Sequence, residues 1–177
     1  MKIAMPIVRH KDPELYCFAD DGFVPNHPKW PLALYRQAVD LNGIKDPGFA
    51  FEQLFALNGW GRSWQNGIYP YTHYHSQMHE VLGIVRGHVE VQFGGDRGQA
   101  IAVHAGDVAI LPAGTGHRRL AASDNYLVVG AYPPQGTYDE CTSEADHAAA
   151  VISIRKVPRP LIHPIFGVQT FASIWKK

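Results

Sequence analysis

Four histidines and a glutamate stand where they could do chemistry together. His73, His75, His79 and Glu80 fall within residues 67–87, and His117 follows a Pro/Gly-rich turn further along the chain. His73 and His75 are two apart, and in an extended strand residues i and i+2 point to the same side. Both imidazoles can therefore face one point. Two neutral imidazoles with a carboxylate suit a divalent transition metal. A pair of surface histidines in a loop is the bland reading of the same spacing. His117 is the natural further donor, since a metal site gathers its ligands from different parts of a chain. His79 adjoins Glu80, so in a regular strand the two face opposite ways. Either Glu80 ligates and His79 lies behind it or in solvent, or a bulge lets His79 ligate instead.

The elements that must position these residues read mainly as strands. Residues 60–65 alternate large apolar and polar residues and 71–75 alternate too, while 80–86, 88–93, 99–103, 107–111, 117–121 and 125–132 are short runs rich in Val, Ile, Leu and aromatics. Gly87, Gly94-Gly95, Ala105-Gly106 and Ser123-Asp124 separate them. Short strands at such spacing predict a sandwich or barrel. Asp46 as N-cap with Pro47 in the first turn predicts a helix over residues 47–57 that stops at Asn58-Gly59. Ser143 caps a second, alanine-rich helix running to about Lys156, which Pro158 and Pro160 end. Residues 1–45 lack a long period. Within them, 15–18 and 30–35 read as extended pieces of an arm on the outside of the main body. The tail, 162–175, is apolar without a clear period and is expected to cross the barrel or a partner subunit.

Composition narrows the function classes. A chain of 177 residues suits one domain, and 46% hydrophobic residues are enough for a sizeable core. Sixteen basic residues balance sixteen acidic ones, and no basic stripe suits nucleic acid. Apolar runs fall short of the ~20 residues of a membrane span. The N-terminus lacks the apolar core and cleavage site of a signal peptide. Cys17 and Cys141 could pair, but two isolated thiols are expected to be reduced and buried, and the expected location is the cytoplasm. No phosphate-binding loop, nucleophile elbow or Cys-x-x-Cys is present, which removes several enzyme classes.

The spacing of the glycines around the histidines resembles the cupin superfamily. Gly67, five residues, His73-x-His75, four residues, Glu80, six residues and Gly87 match its first motif. Gly106, five residues, Pro112-x-Gly114, two residues and His117 match its second. The family often carries Asn four residues after the second-motif histidine, where this chain has Ala121; that departure bears on local packing more than on metal binding. The segments 18–26, 51–60, 64–70, 111–120 and 128–133 are similar to a bacterial single-domain group known as YjlB-like. The resemblance implies an all-β fold: the double-stranded β-helix, or jelly-roll barrel, with a few flanking helices. Residues 59–134 would be the barrel core, 1–58 an arm and helix packed on it, and 135–177 a helix and tail on the barrel or a partner subunit, all in one domain.

That fold would bring His73, His75, Glu80 and His117 together inside the barrel, and motif spacing favours Glu80 over His79. Such a set leaves one or two positions for water or substrate and accepts Fe(II), Mn, Ni, Co or Zn. By strand phase Tyr71 should point inward with His73 and His75. Arg119 shares the phase of His117; it could meet an anionic substrate group there or stand on the outer face as a salt-bridge partner. Trp60, Trp64 and Tyr69 could form the pocket rim, although aromatics near a barrel mouth more often serve packing. The function expected is a metal-dependent enzyme on a small molecule, of dioxygenase or isomerase type, with no catalytic residue assigned. A non-catalytic small-molecule or metal-binding cupin, or a sensor, is the alternative. A homodimer is implied by the resemblance.

Overall fold

In the computed structural model, which describes residues 5–168 and 171–176, strand β6 (Glu80–Arg86) shows what drives the architecture. Its residues are buried from Glu80 through Val85, so both of its faces must be covered. Glu80, Leu82 and Ile84 lie on one face and Val81, Gly83 and Val85 on the other, by the alternation of a strand. The first face looks into the space between two sheets. The second lies under a helix.

The larger sheet has six strands. In spatial order they are β2 (Glu14–Tyr16), β3 (Leu32–Tyr35), β9 (Val108–Leu111), β6, β11 (Leu127–Tyr132) and β5 (Gly61–Asn66). The smaller sheet is β10 (His117–Ala122), β7 (His88–Phe93) and β8 (Gln99–His104). A two-stranded piece joins β1 (Ile7–Val8) to β4 (Val39–Asp40). All these pairings are antiparallel. Leu34, Leu82 and Ile84 of the large sheet meet Val89, Val91 and Val103 of the small one in a single apolar cluster. This is the all-β, double-stranded arrangement expected from the sequence.

Helix α1 (Pro47–Leu57) covers the outer face of the large sheet. The Asp46 carboxylate accepts the Phe49 N–H at 3.0 Å, which satisfies one orphan donor of the first turn. Phe51, Leu54 and Phe55 bury against Val81, Val85 and Val129. Close approach needs Gly83, where a Cβ would stand 2.6 Å from the Phe51 ring. A single 3₁₀ turn (Glu144–Asp146) and helix α2 (His147–Ile154) follow the barrel. There the Asp146 carboxylate accepts from the Thr142 and Ser143 N–H groups and the Ser143 hydroxyl.

Two segments do more than the sequence led us to expect. The N-terminal arm does not simply lie outside: β3 pairs with β9 inside the large sheet, and all four of its residues are buried. The tail ends in α3 (Phe171–Ile174) and Trp175, and Phe171, Ile174 and Trp175 belong to this chain's own core. Trp175 is fully buried and stacks on Trp30 at 5.3 Å; its indole N–H donates to the Pro31 carbonyl at 2.8 Å. Cys17 is exposed and Cys141 buried, and both are free thiols. Among the described residues no helix is long and apolar enough to cross a membrane.

Trp175→Ala should lower stability by about 3–5 kcal/mol, the usual loss for a buried Trp, read as a lower urea midpoint with an unchanged slope. A loss below about 1 kcal/mol would remove the tail from the core. His163 yields a second expectation. Its Nδ1 accepts the Ile165 and Phe166 N–H groups, and Nε2–H donates to the Tyr35 hydroxyl at 3.1 Å. Burial pushes its pKa down to about 3, against ~6.5 in an unfolded chain. The stability it supports is full above pH ~6.5 and is lost as pH falls toward the folded value. Between pH 7 and 5 this residue should remove on the order of 2 kcal/mol, and His163→Gln should shrink that loss. An unchanged pH slope in the variant would contradict a neutral, buried ring.

Candidate metal centre

Residues 67–79 connect β5 to β6 and cross the mouth between the sheets. Only their middle is tied as a strand. His73 N–H donates to the His117 carbonyl at 3.2 Å and His117 N–H returns the bond at 3.0 Å. Tyr74 and Cys141 exchange a similar pair, at 3.2 and 2.9 Å, and the His75 carbonyl accepts from Gly114 N–H at 2.7 Å. Clamped on both edges, residues 73–75 are held extended. His73 and His75 then share one side, while Tyr74 turns to the other and buries with Val24, Ala113 and Cys141. β10 brings His117 from the small sheet, and β6 brings Glu80 from the large one.

The hydrogen bonds select the form of each ring. His73 Nδ1 faces the Tyr71 carbonyl at 3.2 Å, His75 Nδ1 the Asp139 carbonyl and His117 Nδ1 the Thr115 carbonyl at 3.0 Å. A carbonyl only accepts, so each Nδ1 carries the proton. In the neutral ring, Nε2 is then a free lone pair. One ligand atom from each of these three buried rings can be chosen so that all lie within 4.8 Å of one another. Such outer hydrogen bonds are what orients metal-binding imidazoles. Burial, with His117 beside it, lowers the His73 pKa to about 3, which keeps that lone pair free. Burial works against charge on His75 as well, but the Glu80 carboxylate outweighs it and raises this ring to about 9.

Glu80 completes the cluster. Its carboxylate is buried, and burial alone would raise its pKa; His75 and His117 reverse this and hold it well below the usual carboxylate range. Oε2 stands 3.4 Å from His75 Nε2 and 3.3 Å from His117 Nε2. Those distances suit ion pairs, yet the alignment makes no hydrogen bond, and Oε2 is a buried acceptor without a donor. Two ligands ~2.1 Å from one ion at a tetrahedral angle stand ~3.4 Å apart. The spacing, the three Nε2 atoms turned to one point and the orphaned carboxylate oxygen together fit a divalent cation, which would take the place of the proton that Glu80 otherwise holds on His75.

His79 lies apart. Its Nδ1 accepts the Ala113 N–H at 2.8 Å, and Nε2 donates to the Pro158 carbonyl at 3.1 Å. Both nitrogens are used, and the ring packs against Trp175 and Trp30. No bulge brings it to the cluster, because β6 begins at Glu80 in regular register with Leu111.

A cavity of about 420 Å³ opens above the cluster, within the range of small-molecule sites. His73, His75, Glu80 and His117 line it at depth, with Leu82. Trp64 and Tyr69 line it too. Tyr71 does not: residue 71 precedes the paired segment, so strand phase does not reach it, and it lies exposed, stacked on Tyr69 and bonded to Glu140. Arg119 does not either; it donates to the Tyr126 hydroxyl at 3.1 Å and lies over that ring. Sequence reading missed Arg62, Tyr132 and Tyr138, which line the cavity. It also missed Asp139, whose carboxylate accepts from Ser76 and Gln77 N–H groups at 3.0 Å and so anchors the loop beyond His75. Tyr132 follows the inward phase of β11 and was readable in principle. Tyr138 and Asp139 sit in a loop with no period.

The family model described as "Cupin domain" matches residues 64–129. The chain belongs to the cupins. Over 169 residues it is 40% identical to "Uncharacterized protein YjlB" of Bacillus subtilis, covering 94% of this chain and 99% of that one. Among solved structures, it resembles an uncharacterized conserved protein with a double-stranded β-helix domain from Klebsiella pneumoniae, with 14% identity, a TM-score of 0.38 and coverage of 78% of this chain and 86% of that one. It also resembles acireductone dioxygenase from Bacillus anthracis with a cadmium ion in its active centre, with 18% identity and a TM-score of 0.35. That match covers 49% of this chain, which spans only 59% of the dioxygenase.

His79→Ala should cost about 2–4 kcal/mol of stability, because it leaves two buried backbone groups without partners, while metal bound per chain stays as in the unaltered protein. A loss of metal with little loss of stability would make His79 a ligand.

Proposed function

We propose that this chain is a metal-dependent enzyme acting on a small, oxygen-bearing molecule, of dioxygenase or isomerase type. The observation that carries the reading is the convergence of three imidazole Nε2 atoms and a buried carboxylate oxygen without a donor at the base of an accessible cavity. His73, His75, His117 and Glu80 would hold the ion through three Nε2 atoms and one carboxylate oxygen. A mixed set of this kind suits first-row divalent metals. A structural ion is enclosed by protein donors on every side, whereas this cluster faces the cavity. When bound, the ion would supply Lewis acidity and, if redox-active, a means of using O₂.

The chain's own groups supply orientation. Trp64 Nε1 donates to the Tyr132 hydroxyl at 2.9 Å, which leaves the Tyr132 proton to be given to a neighbour. Burial, and then the charge of Glu80, raise the Tyr132 pKa, so the phenol stays protonated and serves as a donor to a substrate oxygen rather than as a base. Leu82 and Ile68 restrict water around the bound molecule.

The test is reconstitution. Metal-free protein loaded separately with Fe(II), Mn(II), Co(II), Ni(II) and Zn(II) is screened for O₂ uptake with small diols and diketones, and for isomerisation of small hydroxy-carbonyl compounds. At least one ion should support turnover, and His75→Ala should lose both stoichiometric metal and turnover while keeping its fold. Loaded protein that binds these compounds without converting any would favour a non-catalytic binding cupin. His75→Ala that retains its metal would remove the site.

A further inference from the structure

We infer that the cavity selects a small carboxylate with a flat apolar body, and that Arg62 reads the carboxylate; this rests on the metal-dependent reading of the same site. Arg62 is the lining residue with a permanent positive charge, and it sits at the exposed rim while the histidines and Glu80 lie buried. Its backbone is the first reason to treat it as more than a surface arginine. β5 carries a bulge where Gly130 and Tyr132 oppose Trp64 and Gly61. Arg62 occupies the extra position with φ +53°, a left-handed conformation that costs a side chain roughly 1 kcal/mol. Gly or Asn would fill this position with less strain, so the arginine itself needs a reason. Bulges of this kind collect beside functional sites.

Its surroundings supply that reason. One guanidinium nitrogen donates to the Pro133 carbonyl at 2.8 Å, and the group lies over the Tyr132 ring at 5.6 Å. Those contacts fix the fork at the rim and use one of its five N–H donors. Among the described residues no carboxylate pairs with it. A planar fork held in place with free donors matches a carboxylate's two oxygens.

The walls between rim and base are flat and mostly apolar: Trp64, Tyr69, Tyr132, Tyr138 and Ile68. Trp64 lies against Gly130 so closely that a Cβ there would come within 2.2 Å of the indole. The missing side chain makes room for the wall. An aromatic or planar unsaturated body stacks on such surfaces.

The test uses zinc-loaded protein and calorimetric titration with 3-phenylpropionate, its neutral amide, and acetohydroxamate, a small chelator that reports the metal alone. The unaltered chain should bind the acid about tenfold tighter than the amide. Arg62→Gln should erase that preference with zinc content and acetohydroxamate binding unchanged, and Arg62→Lys should restore part of it. Equal binding of acid and amide, no binding of the acid, or a preference that survives Arg62→Gln would overturn the inference. Loss of zinc and acetohydroxamate binding in the unaltered chain would instead refute the metal reading; the acid–amide comparison on the metal-free protein would then decide Arg62 separately.

Discussion

Three backbone carbonyls decide what the histidine cluster can be. Those of Tyr71, Asp139 and Thr115 each face an Nδ1 of the cluster. They hold the protons on the outer side of the rings and turn the Nε2 lone pairs toward a common space. Were these outer bonds reversed, as at His79, where Nδ1 accepts from Ala113, the same residues would be ordinary buried histidines. The fold exists around this requirement: reciprocal bonds between His73 and His117 hold two chain segments together, and the sheets bring Glu80 from the opposite wall.

Charge makes the second constraint. Glu80 is 2% exposed and its Oε2 has no donor. A buried carboxylate oxygen without a partner is expensive to maintain. Two imidazoles at 3.3 and 3.4 Å answer that cost only if positive charge lies between them and the carboxylate, as a proton on His75 or as a metal ion. A cluster that stores this cost beside an accessible cavity follows the pattern of functional sites, where strain and perturbed charge gather. The rim shows the same pattern in the backbone of Arg62.

Much of this was legible in the chain because local rules and global fold agree. Helix α1 begins and ends where Asp46, Pro47 and Asn58-Gly59 place it, since capping chemistry acts over a few residues. β6 and β7 run over the apolar segments that Gly87 separates. His79, just before β6, packs against Trp30 and Trp175, while Glu80 faces His75 and His117. Phase reasoning failed where a strand ended or where another partner intervened: Tyr71 lies outside the paired segment, and Arg119 is held by Tyr126. The arm's entry into the large sheet through β3 could not be read, because Leu32–Tyr35 looks the same whether it covers a sheet or joins one. The carbonyls that set the imidazole tautomers were invisible for a simpler reason: every residue carries one.

The most direct test of this metal centre is metal analysis of tag-free protein, never exposed to chelator, combined with X-ray absorption at the edge of whatever metal is found. One divalent transition-metal ion per chain is expected, bound by nitrogen and oxygen atoms at ~2.0–2.2 Å, three of them imidazole nitrogens. Protein without stoichiometric metal that also refuses added ions, or metal held by fewer than two imidazoles, would contradict it.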